Sequence, residues 1–324
     1  MSNYLKRILI ISVNAIGDTY LSLSGAIALK NYFPFCEIDF IINENSQFLF
    51  ENLNFVNRII VNKNIFQLAG TILKISKKTY DYSFNFFPGR LNTLLNIFSK
   101  SKIRAGYWNI FRIKDWSLTN QVVRSNMRNK KKYVWNCETN YLNRINLIFE
   151  FVNLSVAIGP KFEFPIKEDY AHKYSDYFLL HTCSKLGNRS LSNSNINILI
   201  DYLLKNFDKE IVFICSSDDS NLIFLESIQL ERISILKDQC INNLVQIIKF
   251  SKLFFAIDSF PIHIADAYNT SFLGIFGPTD PSCVLIKSNN SIRFNIDSLQ
   301  NVQDDKFIDT IKMKITKDTD FDHS

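Results

Sequence analysis

Ala256-Ile-Asp-Ser-Phe-Pro-Ile-His-Ile-Ala265, followed by a run ending Phe276-Gly-Pro-Thr-Asp-Pro281, decides the fold. Leu253 to Ile257 is an apolar, aromatic run of strand length, stopped by Asp258 and Ser259, and Pro261 suits the first turn of a following helix. Ser271 to Phe276 then reads as the next buried strand, broken by Gly277-Pro278. A helix that begins at a strand's carboxyl end points its unpaired N–H groups and positive dipole end into the crevice where open α/β sheets hold ligands, and an anion suits that place. Taken alone, an Asp-Ser pair is more often simply a helix cap.

Outward from this stretch the same alternation repeats. A strand Arg7 to Val13, a turn Asn14 to Asp18 and a helix Thr19 to Tyr32 open the chain, and Pro34 stops that helix. Strands at Glu37 to Ile42, Phe55 to Val61 and Tyr82 to Phe86 alternate with helical stretches at Ser46 to Leu53, Ile65 to Lys77 and Leu91 to Ser99. A helix Cys137 to Val152 is followed by an irregular stretch, Ala157 to Lys173, and the domain boundary is placed there, giving 1–160 and 161–324. The second half restarts with strand Tyr177 to His181, helix Asn195 to Phe207 and strand Glu210 to Cys215. Two β-α-β halves without a G-x-G-x-x-G predict an α/β protein of two Rossmann-like domains facing across a cleft, rather than a dinucleotide oxidoreductase.

Composition agrees. With 324 residues the chain accommodates two cores, and 47% hydrophobic and 14% aromatic residues exclude disorder. No apolar run reaches membrane-spanning length, and Lys6-Arg7 before Ile8 to Val13 is too short a signal, which predicts a cytoplasmic protein. The six cysteines show no C-x-x-C pair and are expected to be reduced, buried thiols. A net charge of +6 does not demand nucleic acid as a partner. It does gather locally, in Arg124, Arg128, Lys130, Lys131 and Lys132, a run that by itself is a solvated loop.

Four blocks carry a resemblance over nearly the whole chain: Ile8 to Leu29 with Gly17-Asp18, Tyr80-Asp81 to Tyr107 with Pro88-Gly89-Arg90 and Arg104-Ala-Gly-Tyr107, His181 to Ser190, and Asp258 to Pro281. In these the chain resembles the heptosyltransferase family of bacterial glycosyltransferases, glycosyltransferase family nine. The resemblance implies the GT-B architecture, inverting transfer from a nucleotide sugar, and neither metal nor cofactor. It makes Asp18 the catalytic carboxylate, taking the acceptor hydroxyl's proton as that oxygen attacks the anomeric carbon. Against this, a helix N-terminus stabilises the charged carboxylate and weakens it as a base, and Asp18 also reads as the cap of a helix starting at Thr19.

On the donor side the resemblance implies Ser184, Lys185, Arg189, Asp219, Asp258, Ser259, Phe260 and His263. Asp218 competes with Asp219 for the ribose, His263 is also explained as a structural histidine, and Thr279 and Asp280 as a plain turn. Two departures stand out. Phe260 occupies a position where the family has glycine, and Arg189 replaces a lysine, with Lys185 as the second candidate. On the acceptor side, Arg90, Arg104, Arg124, Arg128 and Lys130 would meet an anionic glycolipid or glycan, with peripheral contact at the inner membrane. The implied donor is ADP-heptose for lipopolysaccharide core synthesis. The alternatives are a different nucleotide sugar or a non-catalytic binding or scaffold member.

Overall fold

The computed structural model describes residues 5–51, 53–62, 65–106, 140–159, 161–165, 176–184 and 186–317. The chain forms two compact units, Met1–Phe162 and Glu163–Ser324, each with its own parallel sheet.

In the first unit the elements are β1 (Arg7–Ser12), α1 (Ile16–Tyr32), β2 (Glu37–Ile42), β3 (Arg58–Val61), α2 (Leu68–Ser76), β4 (Tyr80–Asn85), α3 (Arg90–Ile97), β5 (Ser101–Gly106) and α4 (Tyr141–Phe151). The described strands pair in the order β3-β2-β1-β4-β5, all parallel. Their near-continuous apolar runs follow from burial on both faces. On one face Leu9, Ile11, Ile41 and Ile60 meet Ile75, Leu68 and Ile72 of α2 and Leu91 and Leu95 of α3. Elsewhere in this unit Phe84 and Phe86 pack edge to face on Phe149 of α4, at 5.4 and 5.5 Å. At the amino ends of the strands, Asp39 is fully buried between Arg58, 2.9 Å away, Lys78 at 3.2 Å and the Tyr80 hydroxyl at 2.8 Å. That ion cluster ties together the amino ends of β2, β3 and β4.

In the second unit the elements are β6 (Tyr177–His181), α5 (Asn193–Asn206), β7 (Glu210–Cys215), α6 (Leu222–Ser227), β8 (Ile233–Lys237), α7 (Ile241–Lys249), β9 (Leu253–Ile257), α8 (Phe260–Tyr268), β10 (Phe272–Phe276), β11 (Ser291–Arg293) and α9 (Asp304–Lys317). The sheet runs β11-β10-β9-β6-β7-β8, again parallel. One core joins Leu180, Phe213, Phe255, Ile257 and Ile275 of the strands to Ile196, Leu199 and Leu203 of α5 and Phe307 and Ile311 of α9.

Each sheet reverses its winding once, between β1 and β4 in the first unit and between β6 and β9 in the second. The loops at the carboxyl ends of those strand pairs diverge to opposite faces, which leaves a crevice at each switch point.

Two expectations need correction. Helix α1 begins at Ile16, not Thr19, because Asn14 and Ala15 complete the turn and Gly17 is no obstacle in a first helical turn. The thiols are not uniformly reduced and buried. Cys36, Cys183, Cys215 and Cys240 are free, and Cys240 is exposed, but Cys283 enters a disulfide. The absence of a local C-x-x-C pair carries no information about pairing between distant residues.

Candidate functional site

At the switch point of the second unit, β6 ends at His181 and β9 at Ile257, with His181 and Ala256 side by side in the sheet. Ser259 follows in fully extended conformation, φ −154° and ψ 176°, as the N-cap of α8. Its Oγ lies 2.9 Å from His181 Nδ1, so a side-chain hydrogen bond bridges the two strand ends, its direction set by the imidazole tautomer. Burial pushes the His181 imidazole down to about 4, which keeps the ring neutral at physiological pH. Sequence reasoning placed His181 in a motif block without giving it a role. The signal was there: it is the polar residue that closes an apolar strand.

Asp258 is almost entirely buried, and one Arg189 guanidinium nitrogen sits 3.0 Å from its carboxylate. Burial pushes the Asp258 carboxyl above the usual carboxylate range, while Arg189 and a hydrogen bond from Thr279 pull it back. Thr279 belongs to the turn after β10, so this one carboxylate ties together the loops after β6, β9 and β10. Arg189, at the end of a single 3-10 turn, Gly187–Arg189, keeps 30% of its side chain exposed. Asp258 thus holds the guanidinium in place, and the fork's other N–H donors remain for a ligand.

Ser184 is held from within its own loop: its N–H donates to Ser190 Oγ at 2.9 Å, and its side-chain Oγ accepts from the Leu186 amide at 3.3 Å. Phe260 opens α8 with right-handed helical backbone, so the backbone does not require glycine there. The N-terminus of α8 turns its positive dipole end to this crevice, where Pro261 contributes no N–H, and such an end suits an anion. His263 lies one turn further, 6% exposed.

Asp219 stands after β7, where its carboxylate accepts the Ser216 amide at 2.8 Å. Asp218 accepts the Ser216 hydroxyl at 2.6 Å, and Asp238 takes the Ser217 amide at 2.9 Å. Both acids therefore shape the β7 loop, two strands' width from β9. Asp280 caps the 3-10 turn at Pro281–Cys283 and pairs with Arg293 at 2.6 Å, as a turn residue would. Burial raises the Cys183 thiol to about 11 and the Cys215 thiol to about 12, so neither is a nucleophile at neutral pH.

In the first unit, Asp18 sits in the first turn of α1, partly buried, with Ala15 as the N-cap. It is therefore not the capping residue. The loop that carries it is tied to the β4 loop: Val13 N–H donates to Asn92 Oδ1 at 3.0 Å, and Asn14 Nδ2 to the Pro88 carbonyl at 3.0 Å. Arg90, exposed at the start of α3, shares this switch point with Asp18. Arg104 does not. It lies within β5 and donates to the Ile97 carbonyl at the end of α3, at 3.4 Å. Lys185, Arg124, Arg128 and Lys130 lie outside the described residues.

Residues 176–307 match the model of glycosyltransferase family 9 (heptosyltransferase). The C-terminal unit carries a glycosyltransferase family 9 domain. Among solved structures the chain is similar to the glycosyl transferase family 9 protein of Veillonella parvula DSM 2008, with 15% identity, a TM-score of 0.71, and 98% of this chain and 100% of that one covered. It is also similar to the E. coli ADP-heptose lps heptosyltransferase II, with 15% identity, TM-score 0.69, and 97% and 99% covered. E. coli heptosyltransferase WaaC with ADP gives 14%, 0.66, and 97% and 98%. No curated protein sequence matches. At these identities the likeness shows the fold, which is that of the GT-B glycosyltransferases. Together with the family 9 domain it supports glycosyltransferase activity and the resemblance to heptosyltransferases.

Proposed function

We propose that the chain is an inverting glycosyltransferase that moves heptose from ADP-heptose to a glycolipid or glycan acceptor in lipopolysaccharide core synthesis. One observation supports this reading: the switch-point crevice within the family 9 match brings the held Arg189 to the positive N-terminal end of α8, a setting that suits a nucleoside diphosphate. Solved relatives of the same fold hold ADP and ADP-2-deoxy-2-fluoro heptose, which favours an adenine nucleotide donor.

In this reading the acceptor hydroxyl oxygen attacks the anomeric carbon from the side opposite the diphosphate. The new C–O bond forms as the bond to the β-phosphate oxygen breaks, and the configuration inverts. The hydroxyl proton passes to the Asp18 carboxylate. The departing ADP carries the bond's electron pair as added negative charge, met by Arg189 and the positive N-terminal end of α8. Ser184, Lys185, Asp219, Asp258, Ser259 and His263 complete the donor side. Arg90, Arg104 and the basic run Arg124, Arg128 and Lys130 would serve the anionic acceptor at the cytoplasmic face of the inner membrane.

Release of nucleoside diphosphate from ADP-, GDP- and UDP-sugars, measured with the wild type and Asp18→Asn, tests the reading. ADP-heptose should be consumed, and Asp18→Asn should lower the rate at least about a hundredfold. Full activity in the variant would remove Asp18 from the mechanism.

A further inference from the structure

Helix α2 is apolar on both sides. Its inner face, Leu68, Ile72 and Ile75, packs on the sheet beside Thr71. Its outer face continues the pattern: Phe66, in the 3-10 turn that precedes it, is 91% exposed, and Leu73 is 65% exposed. Seven residues is two helical turns, so the two side chains share one stripe about 10 Å long. Ala69 and Gly70 lie between them, and a Cβ added at Gly70 would meet nothing within 4 Å. Exposed Lys74 and Lys77 flank the stripe. The segment from 52 to 80 contains no Asp or Glu and five basic residues, Arg58, Lys63, Lys74, Lys77 and Lys78. Of these, Arg58 and Lys78 are committed to Asp39.

We infer that this face of α2 is a docking surface for an anionic lipid bilayer, with Phe66 and Leu73 entering the headgroup region and Lys74 and Lys77 on the lipid phosphates. Charge and area select the occupant. A segment of one sign without acidic residues complements an anionic plane, to which its basic side chains are attracted. Two large side chains offer roughly 300 Å², well short of the roughly 800 Å² per partner of a stable protein interface. The same two are enough for interfacial insertion, where an aromatic ring and an aliphatic chain sit at headgroup depth. The inference adds a described surface to the proposed membrane-side acceptor but does not depend on the chemistry at Asp18 or Arg189.

Co-sedimentation of the full chain with vesicles of phosphatidylglycerol and phosphatidylcholine, against pure phosphatidylcholine, tests it. Binding should require phosphatidylglycerol and weaken with salt. It should fall at least fivefold in Phe66→Ser/Leu73→Ser and again in Lys74→Gln/Lys77→Gln, while nucleoside diphosphate release from the donor is unchanged in both. Binding equal to wild type in these variants, or no vesicle binding at all, would overturn the inference, whatever the donor assay shows. So would a wild-type dimer that Phe66→Ser converts to monomer, since a second copy would then be the occupant.

Discussion

Asp258 and Arg189 are a buried charge and its partly exposed counter-ion, and neither is understood without the other. Removing the guanidinium would leave a carboxylate that burial already disfavours, whereas keeping it gives a cation whose position is fixed before any ligand arrives. His181 is the neutral half of the same arrangement. In the unfolded chain it takes a proton near 6.5, but in the folded chain only near 4. Protons therefore favour the unfolded state, and the stability present above pH 6.5 is lost as pH falls through that window, on the order of 3 kcal/mol by its lower end. Urea unfolding at pH 7 and pH 5 should show His181→Gln losing about 2 kcal/mol less than the wild type between the two. Equal losses would mean that the ring is not desolvated. The sequence marks Asp258, Ser259 and Arg189 individually, through strand and helix punctuation and through resemblance. It does not show that Arg189 pairs with Asp258 or that His181 meets Ser259, because those contacts join loops 69 and 78 positions apart that only the sheet order brings together.

Strands and helices were legible wherever burial is complete. The ends of β2, β6, β7 and β9 fall where the apolar runs end. Boundaries were lost where polar residues continue a helix inside the protein. Helix α3 starts at Arg90, and α1 carries Thr19, Ser22 and Ser24 buried, with Ser22 Oγ donating to the Asp18 carbonyl at 2.8 Å. Strand β5 and helix α9 went unremarked because Ser101–Gly106 is short and half polar, and Asp304–Lys317 is mostly charged outside its Phe307 and Ile311 contacts. The end of β5 is nevertheless rigidly specified. Gly106 has φ +152°, and a Cβ there would stand 1.8 Å from Asn85 Oδ1 and 2.4 Å from the Asn85 carbonyl. Asn85 cannot move aside, since its Oδ1 accepts from Asn96 Nδ2 at 2.8 Å in a buried polar chain that includes Ser83 and Ser99. Gly106→Ala should cost about 2 kcal/mol or more in urea unfolding. A cost under about half a kilocalorie would show that the β4 to β5 edge yields.

At the scale of the molecule, two parallel sheets that each reverse their winding once give each unit one crevice, and each crevice received part of the predicted site. Asp18 and Arg90 lie at the first, and Ser184, Arg189, Asp258, Ser259 and Phe260 at the second. Asp219, after β7, and Arg104, within β5, each lie one strand out from those points. β-α alternation was enough to predict two such folds. Which strands are neighbours was not readable, because winding direction depends on where each helix crosses rather than on the pattern within any strand. The claim on which the functional account rests is that the second crevice binds a nucleoside diphosphate. Calorimetric titration of ADP into the full chain and into Arg189→Ala measures it most directly. The account predicts binding by the wild type, weakened at least about tenfold in the variant. Failure of the wild type to bind ADP, or equal affinity in the two, would contradict it.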